Sequence, residues 1–214
     1  MDPLTTNVFN YEIGLQCRFI LRSAEQLDQV LGDWEEREAA LANVDLWQFH
    51  EHRRFDAYVA VMCLTDEFVT GVWFALQGVL VAAANISKLL WGSGGASAED
   101  RTELRSRLGV SDGSPLQSPR LRNHFEHIDE WISNGTEPGT PYVGRLISHE
   151  PPGSAPLVPN EPTSKRFGHF DPVTQEVTFW HLSVSVPRVV QEAERLLATL
   201  LPPSDIRRAE SGGQ

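Results

Sequence analysis

The chain has 214 residues and a formal net charge of −11, from 18 lysines and arginines against 29 aspartates and glutamates. That length suits one domain, with enough chain to build a core without disulfide bonds. The acidic balance excludes a broad, sequence-independent coat for nucleic acid, which needs a basic surface to displace counterions. The charge balance still allows a small basic site on an otherwise acidic protein.

Cysteine usage and the N-terminal sequence indicate a compartment. Cys17 and Cys63 are too few for a disulfide framework and predict free thiols in a reducing environment. The first residues show neither the basic region nor the apolar core of a signal peptide. We therefore expect a cytoplasmic protein.

The first predicted helix runs from about Gln16 to Asn43. Apolar residues recur there at helical spacing, with acidic residues between them. This pattern predicts an amphipathic helix that turns one side toward a core. The recurring apolar residues are Phe19, Ile20, Leu27, Val30, Leu31 and Trp34.

The second predicted helix runs from near Phe55 to about Trp91 and is closed by glycines. Its stretch 68–86 carries no charge and approaches the length of a membrane-spanning helix. The central helix of a bundle has the same composition, because it is apolar on all sides. We interpret the stretch as a buried core helix and expect no membrane association; a membrane span is the alternative.

Two shorter helices follow. The third is predicted from Glu99 to Leu108, with Ser97 as its N-cap and Gly109 at its end. The fourth begins at an N-cap serine followed by a proline, Ser118-Pro119, and closes at Asn134-Gly135. Its apolar stripe consists of Leu121, Phe125, Ile128 and Ile132.

Glycines and prolines crowd residues 135–163 and predict an irregular connection. The runs RFGHF and EVTFW then predict two strands, joined by the turn-forming sequence DPVTQ. Pro187 opens a last amphipathic helix. We therefore predict a mainly α fold: a helical bundle over residues 1–134, then a loop, a β-hairpin and a closing helix over 135–214, packed on the same domain.

Residue types suited to chemistry are densest between Arg122 and Glu130, on the fourth predicted helix. Helical spacing places Asn123, His127 and Glu130 on one side, with the apolar stripe on another. An arginine and a histidine beside a helix N-terminus suit a phosphate group. The guanidinium can bind two oxygens, the helix end adds positive potential, and the imidazole can transfer a proton near neutral pH.

The spacing Arg122-Asn123, three residues, then His127 resembles the Arg-x4–6-His motif of the HEPN superfamily (higher eukaryotes and prokaryotes nucleotide-binding). The setting is similar too, with a long buried helix, a short connector and then the motif helix. The run LRNHFEHIDEWI is similar to those of bacterial HEPN-like proteins. The resemblance covers about residues 15–134 and leaves the hairpin aside.

The resemblance implies a metal-independent endoribonuclease or RNA-binding effector of the toxin or phage-defence type. Such proteins act as homodimers in which two motif helices form one cleft, so it implies RNA as substrate and a cognate antitoxin as a partner. His127 would be the general base or acid, Arg122 would hold the scissile phosphate, and Asn123 would orient either one. The products would carry 2′,3′-cyclic phosphate ends, and no cofactor or metal is implied.

One position departs from the pattern. Relatives paired with a nucleotidyltransferase antitoxin often have a tyrosine two residues after the histidine, where this chain has Asp129. Control by modification of that tyrosine is therefore in doubt. The superfamily also has members without cleavage activity, so a non-catalytic scaffold that binds a nucleotide or a protein is the second hypothesis.

Plainer explanations exist for the same residues. Arg122 has the spacing for a surface ion pair with Glu126, and His127 for a half-buried histidine bonded to a neighbouring helix. His124 and His127, with Glu130 one turn on, offer a different site, a metal centre. Two histidines on one helix need ligands from elsewhere, and His50 and His52 are the candidates.

Supporting residues are predicted outside the motif. Asn85, in the buried helix, either bonds a backbone carbonyl or orients Arg122 or His127. The segment 101–123 has five arginines against two acidic residues, a local net charge of +3. Arg101, Arg105 and Arg120 would then bind phosphate at the edge of the cleft. The alternative is ordinary surface pairing with Glu99, Asp100 and Glu103.

Overall fold

The computed structural model describes residues 1–42, 51–92, 97–117, 145–147, 168–179 and 182–200. Over these ranges the chain is mainly helical with a small sheet, as predicted. The helices are α1 (Pro3–Ala42), α2 (Glu51–Trp91), α3 (Ser97–Arg107) and α4 (Val186–Leu200). The strands are β1 (Arg145–Ile147), β2 (Gly168–Asp171), β3 (Glu176–Phe179) and β4 (Leu182–Ser185).

Helix α1 begins at Pro3, so the predicted start near Gln16 is wrong. The Oδ1 atom of Asp2 accepts a hydrogen bond from the backbone N–H of Thr5 at 3.0 Å, and the Thr6 hydroxyl donates to the Asp2 carbonyl at 2.9 Å. Asp2 is therefore an N-cap, and Pro3 takes the first helical position, where its missing N–H costs nothing.

Helices α1 and α2 form an antiparallel pair. Gly78 lies against Ser23, and Gly71 lies against Val30. The segment Asp66–Trp91 of α2 is long and apolar enough to cross a membrane, and 56% of its most apolar window is buried inside the protein. Its buried side chains pack against α1, α3 and the sheet and supply much of the core of the described residues.

Phe19 departs from the apolar stripe predicted for α1. Ile20 and Leu27 of that stripe are buried, whereas the Phe19 side chain is 48% exposed. Adjacent helical residues point in directions about 100° apart, so Ile20 and Phe19 cannot both face the core fully. The prediction that Phe19 belongs to the core is wrong.

Glycines with positive φ end α2 and α3. Gly92 has φ 64°, and its N–H donates to the Lys88 carbonyl at 2.9 Å. Gly109 has φ 62°, and the N–H of Val110 after it donates to the Arg105 carbonyl. These are the left-handed helix ends that glycine favours. The predicted ends of both helices are confirmed within one residue.

The strands form one sheet in the order β1-β2-β3-β4. Strands β2 and β3 form the predicted antiparallel hairpin, with Phe170 opposite Val177. Two strands were not predicted: β4 extends the hairpin on one side, and β1 pairs parallel to β2 on the other. The small sheet is therefore larger than the predicted hairpin.

Aromatic packing attaches the sheet to α2. The Trp73 and Phe179 rings meet edge to face, with their centroids 5.8 Å apart. A Cβ atom at Gly168 would lie 2.9 Å from Cη2 of Trp73, so only glycine lets β2 approach the indole this closely. Trp73 is thus a contact between α2 and the sheet.

The hairpin turn and α4 pack against α1. Gln175 in the turn has φ 50°, and its Nε2 donates to Oδ1 of Asp28 at 3.1 Å. Its carbonyl accepts from the N–H of Val186, the first residue of α4. The predicted apolar side of α4 is confirmed. Val189, Ala193 and Leu196 are buried, and Val190, Leu197 and Leu200 are packed against the core.

Candidate functional site

The motif itself lies outside the described residues, in the segment 118–144. This covers the predicted catalytic pair Arg122 and His127 and the predicted supporting residues. The roles assigned to these side chains stay predictions. The residues concerned are Arg120, Arg122, Asn123, His124, His127 and Glu130, and the side chains of His50 and His52 lie outside the described part as well.

The structure does describe the residues that lead into the motif, which are α3 and the connector that follows it. Arg101 Nη1 donates to the carbonyls of Lys88 and Leu89, at 3.1 and 2.5 Å. Arg105 Nη1 donates to the Leu90 carbonyl at 2.6 Å. The last carbonyls of a helix have no partner within the helix, and positive charge is favourable there. Both arginines therefore cap α2 and fix α3 on its C-terminal end.

Aromatic rings hold the same two guanidinium groups. The Cζ atom of Arg101 lies 4.4 Å from the ring centroid of Phe9, and that of Arg105 lies 5.6 Å from the Trp91 ring. Arg107 instead forms an exposed ion pair with Glu103, the surface pairing considered as an alternative for this helix. A phosphate at Arg101 or Arg105 would have to share these groups with the carbonyls of α2.

Asn85 belongs to a chain of side-chain hydrogen bonds between α1 and α2. Its Nδ2 donates to Oε1 of Gln16 at 3.3 Å, and Gln16 Nε2 donates to Oε1 of Glu12 at 2.7 Å. The partner is thus a side-chain amide rather than the backbone carbonyl considered from the sequence. The bond pairs two amides that would otherwise be costly to bury.

The connector after α3 is fixed on α4. Arg195 donates two hydrogen bonds to the Glu192 carboxylate, at 2.8 and 2.9 Å, and a third to the Leu108 carbonyl at 3.0 Å. The Ser114 hydroxyl donates to the same carboxylate at 3.2 Å. The hydrogen bonds that Arg195 donates to the Glu192 carboxylate raise the pKa of Arg195. We call Glu192 and Arg195 the α4 clamp.

The connector is ordered up to the edge of the motif segment. Leu116 is 1% exposed, and the N–H of Gln117 donates to the Ser114 carbonyl at 2.8 Å. The Gln117 side chain in turn accepts from the N–H of Gly113 at 2.6 Å. The predicted N-cap, Ser118, is the next residue. The residues just before the motif segment are therefore fixed in two ways: through α3 they are attached to α2, and through the α4 clamp they are attached to α4.

The α4 clamp was missed by sequence reasoning. Glu192 and Arg195 are three residues apart on α4, a spacing that allows an ion pair on a helix. That signal was available, but it does not show that Arg195 also reaches the carbonyl of Leu108, which is 87 residues away along the chain. The contact depends on how α4 packs.

The described ranges offer little support for a metal site or a small-molecule site. These residues contain no group of three His, Cys, Asp or Glu side chains arranged to hold a metal ion. A groove of about 220 Å³ lies between α1, the β2–β3 turn and α4, with Asp28, Gln175, Pro187 and Glu194 among its lining residues. Small-molecule sites are usually larger, about 300–1,000 Å³.

Comparison with family models, with curated proteins and with solved structures gave no match for this chain.

Proposed function

We propose that the protein is a HEPN-like, metal-independent endoribonuclease or RNA-binding effector that acts as a homodimer in the cytoplasm. The observation that carries the proposal is the order Arg122-Asn123 followed by His127, one turn inside the predicted N-terminus of a helix. The substrate would be RNA, because the reaction uses a ribose 2′-hydroxyl as the internal nucleophile.

In the proposed reaction, the His127 imidazole accepts the 2′-hydroxyl proton while that oxygen attacks the adjacent phosphorus. The bond to the 5′ oxygen of the next nucleotide breaks, and that oxygen takes up a proton. Arg122 balances the charge that develops on the phosphoryl oxygens, and Asn123 orients the two side chains. The products are a 2′,3′-cyclic phosphate and a free 5′-hydroxyl.

The described residues support this proposal in two ways. The fold is mainly helical, with a long buried α2, a connector and then the motif segment, which is the order that the motif calls for. In addition, α3 and the connector are fixed at both ends, by Arg101 and Arg105 on α2 and by the α4 clamp. Catalytic side chains are positioned more precisely when the segment that leads into them is fixed.

The test is cleavage of a mixed-sequence RNA by the full chain, with product ends identified by mass spectrometry. Arg122→Ala and His127→Ala should each lose about 100-fold or more of the activity, the range for a positioned acid–base group. The matched controls are Arg107→Ala, which removes an exposed arginine of α3, and His124→Ala. Both should cleave like the wild type, with or without a chelator.

The outcomes separate the hypotheses. Equal activity in the wild type, Arg122→Ala and His127→Ala would disprove the catalytic roles. Activity that the chelator removes, together with loss in His124→Ala, would favour the metal centre at His124 and His127. Linear 3′-phosphate as the first product would also contradict attack by the 2′-hydroxyl.

The second candidate is a non-catalytic helical scaffold that binds a protein or a nucleotide. One observation favours it: Arg101 and Arg105, predicted to bind phosphate, donate instead to the carbonyls at the end of α2. Phosphate binding would then rest on Arg120 and Arg122 alone. RNA that binds but is not cut, with affinity lost in Arg122→Ala, would identify this function.

A further inference from the structure

The groove between α1, the β2–β3 turn and α4 has an aliphatic floor and a polar rim. It is open to solvent along the line where α4 packs beside α1. We call it the Asp28 groove. Its floor includes Leu27, Val186 and Val190, and its rim includes Asp28, Gln175 and Glu194.

The floor and the rim differ in exposure. Leu27 and Val186 are each 1% exposed, whereas Asp28 and Glu194 are exposed. A long cationic side chain that entered the groove would bury its apolar stem against the floor and keep its charged end at the rim. Lysine and arginine side chains commonly lie on protein surfaces in this way. The groove therefore suits an amphipathic side chain.

The side chains of the rim offer more hydrogen-bond acceptors than donors. Gln175 Nε2 donates to Oδ1 of Asp28 at 3.1 Å, so the Gln175 amide oxygen and Asp28 Oδ2 point to further acceptor capacity at the same place. Glu194 adds two carboxylate oxygens. A guanidinium group has five N–H donors and no acceptor, so it complements such a rim.

The charge of the groove selects the same kind of ligand. Asp28 and Glu194 are acidic, and no basic residue is among the described residues that line the groove. The whole chain has a net charge of −11. Complementary charge steers partners toward a surface, and like charge excludes the wrong ones. The groove therefore favours a cationic partner and repels the phosphates of a nucleic acid.

The size of the groove matches one long side chain. Its volume is about 220 Å³. At about 30 Å³ for each water-sized group, that volume holds roughly seven non-hydrogen atoms, the number in an arginine side chain. A lysine side chain has fewer atoms and lacks the planar set of donors that binds two acceptors at once. Arginine is therefore the better occupant.

The backbone at Gln175 fixes this part of the rim. Its φ is 50°, in the left-handed region that glycine adopts more readily. Its carbonyl accepts from the N–H of Val186 at 3.0 Å while its side chain reaches Asp28. Strained conformations of this kind cluster at binding sites, where the surrounding structure holds them. A glycine would form the turn at lower cost but would supply no amide to the groove.

We propose that the Asp28 groove binds an arginine side chain of a polypeptide partner. The arginine stem lies on Leu27 and Val190, and the guanidinium donates to Asp28 and Glu194. The amide oxygen of Gln175 accepts a further hydrogen bond. The groove uses none of the motif residues, so the proposal is independent of the function proposed for the motif.

Peptide titration of the full chain tests the site. The probe is the blocked peptide Gly-Leu-Arg-Leu-Gly, and two comparison peptides replace its arginine with lysine or with citrulline, which has nearly the shape of arginine without its charge. NMR follows the side-chain amide signals of Gln175 and Gln191, which both line the groove. The arginine peptide should shift these signals and bind about threefold or more tighter than the lysine peptide. The citrulline peptide should leave them unchanged.

Variants of the rim supply the second test. Asp28→Asn and Glu194→Gln each remove one charge with little change of shape, and each should weaken the arginine peptide about three- to fivefold, as for a pair near the surface. Gln175→Gly should also weaken it, although glycine suits the backbone there. The matched control is Asp112→Asn, which removes an equal charge from an exposed position on the connector and should bind like the wild type.

Three results would overturn the proposal. Equal binding of the arginine and citrulline peptides would show that the guanidinium is not recognised. Equal weakening in Asp112→Asn and Asp28→Asn would show attraction to the acidic chain as a whole. Binding that appears only when Arg207 and Arg208 are both replaced by alanine would assign the groove to the chain's own C-terminal segment. The titration contains no RNA, so failure of this site and failure of the proposed nuclease are measured separately.

Discussion

Gly78 of α2 packs directly against Ser23 of α1. A Cβ atom at position 78 would lie 2.2 Å from Ser23 Oγ and 3.0 Å from Ser23 Cβ. The hydroxyl can rotate away, but the Cβ atom cannot move without the helix. We expect Gly78→Ala to lower the free energy of unfolding by about 1–3 kcal/mol, because overpacking exceeds the gain in helix propensity. Urea denaturation measures it.

Two variants control that prediction. Gly32→Ala, also within a helix, meets nothing within 4 Å and should raise the free energy of unfolding by about 0.5–1 kcal/mol. Adding Ser23→Gly to Gly78→Ala should recover most of the loss. A Gly78→Ala protein as stable as the wild type would show that the helices can separate without cost.

The capping arginines give a second prediction. Arg101→Gln and Arg105→Gln should each lower the free energy of unfolding by about 1–2 kcal/mol, because half-buried carbonyls at the end of α2 lose charged donors. Arg107→Gln, which loses only an exposed ion pair, should change it by less than about 0.5 kcal/mol. If all three variants unfolded at the same temperature as the wild type, the capping bonds would not contribute to stability.

The α4 clamp gives a third prediction. Arg195→Ala removes the bond to Leu108 and leaves the Glu192 carboxylate without its cation, so stability should fall by about 1–2 kcal/mol. Amide hydrogen exchange should quicken in residues 110–117 before it does so in α1. The control is Arg188→Ala, an exposed arginine earlier on α4. Equal exchange in both variants would show that the connector holds without the clamp.

The thiol of Cys17 gives a fourth prediction. Burial raises the pKa of Cys17 from 9.0 to about 12, so the folded state retains a proton that the unfolded chain loses. The stability due to this group is complete below pH 9 and falls between pH 9 and 12, by up to about 1.4 kcal/mol per pH unit. Cys17→Ala should show a shallower decline.

Alkylation checks the same group by peptide mapping. At pH 8 an alkylating reagent should leave Cys17 unmodified in the folded protein and modify it after unfolding in urea. Rapid modification of the native protein would contradict the burial of this thiol.

The features that were predicted correctly from the sequence are those that local interactions determine. Gly92 and Gly109 end their helices by backbone conformation, and both ends were predicted from the residue type. The N-terminal start of α1 was missed although Leu4, Val8 and Tyr11 stand at the spacing of an amphipathic helix. The N-cap signal of Asp2 and Pro3 was present and would have corrected this.

Long-range contacts account for the rest. Strand β1 has three residues in a stretch rich in glycine and proline, and its partner β2 lies more than 20 residues further on. No local pattern predicts such a pairing. Arg101 and Arg105 have ordinary spacing for surface ion pairs, and only the packing of α3 on α2 directs them to carbonyls. The motif residues lie outside the described part, so their predicted roles rest on sequence.

The contact between Asp28 and Gln175 joins residues 147 positions apart. During synthesis, α1 and α2 can pair soon after they leave the ribosome, since they are neighbours in the chain. The side of α1 around Gly14, Cys17 and Leu27 then stays uncovered until the β2–β3 turn and α4 have been synthesised. At cellular rates of elongation that delay is on the order of ten seconds. Nascent chains of this protein therefore present an uncovered apolar groove to chaperones until α4 emerges.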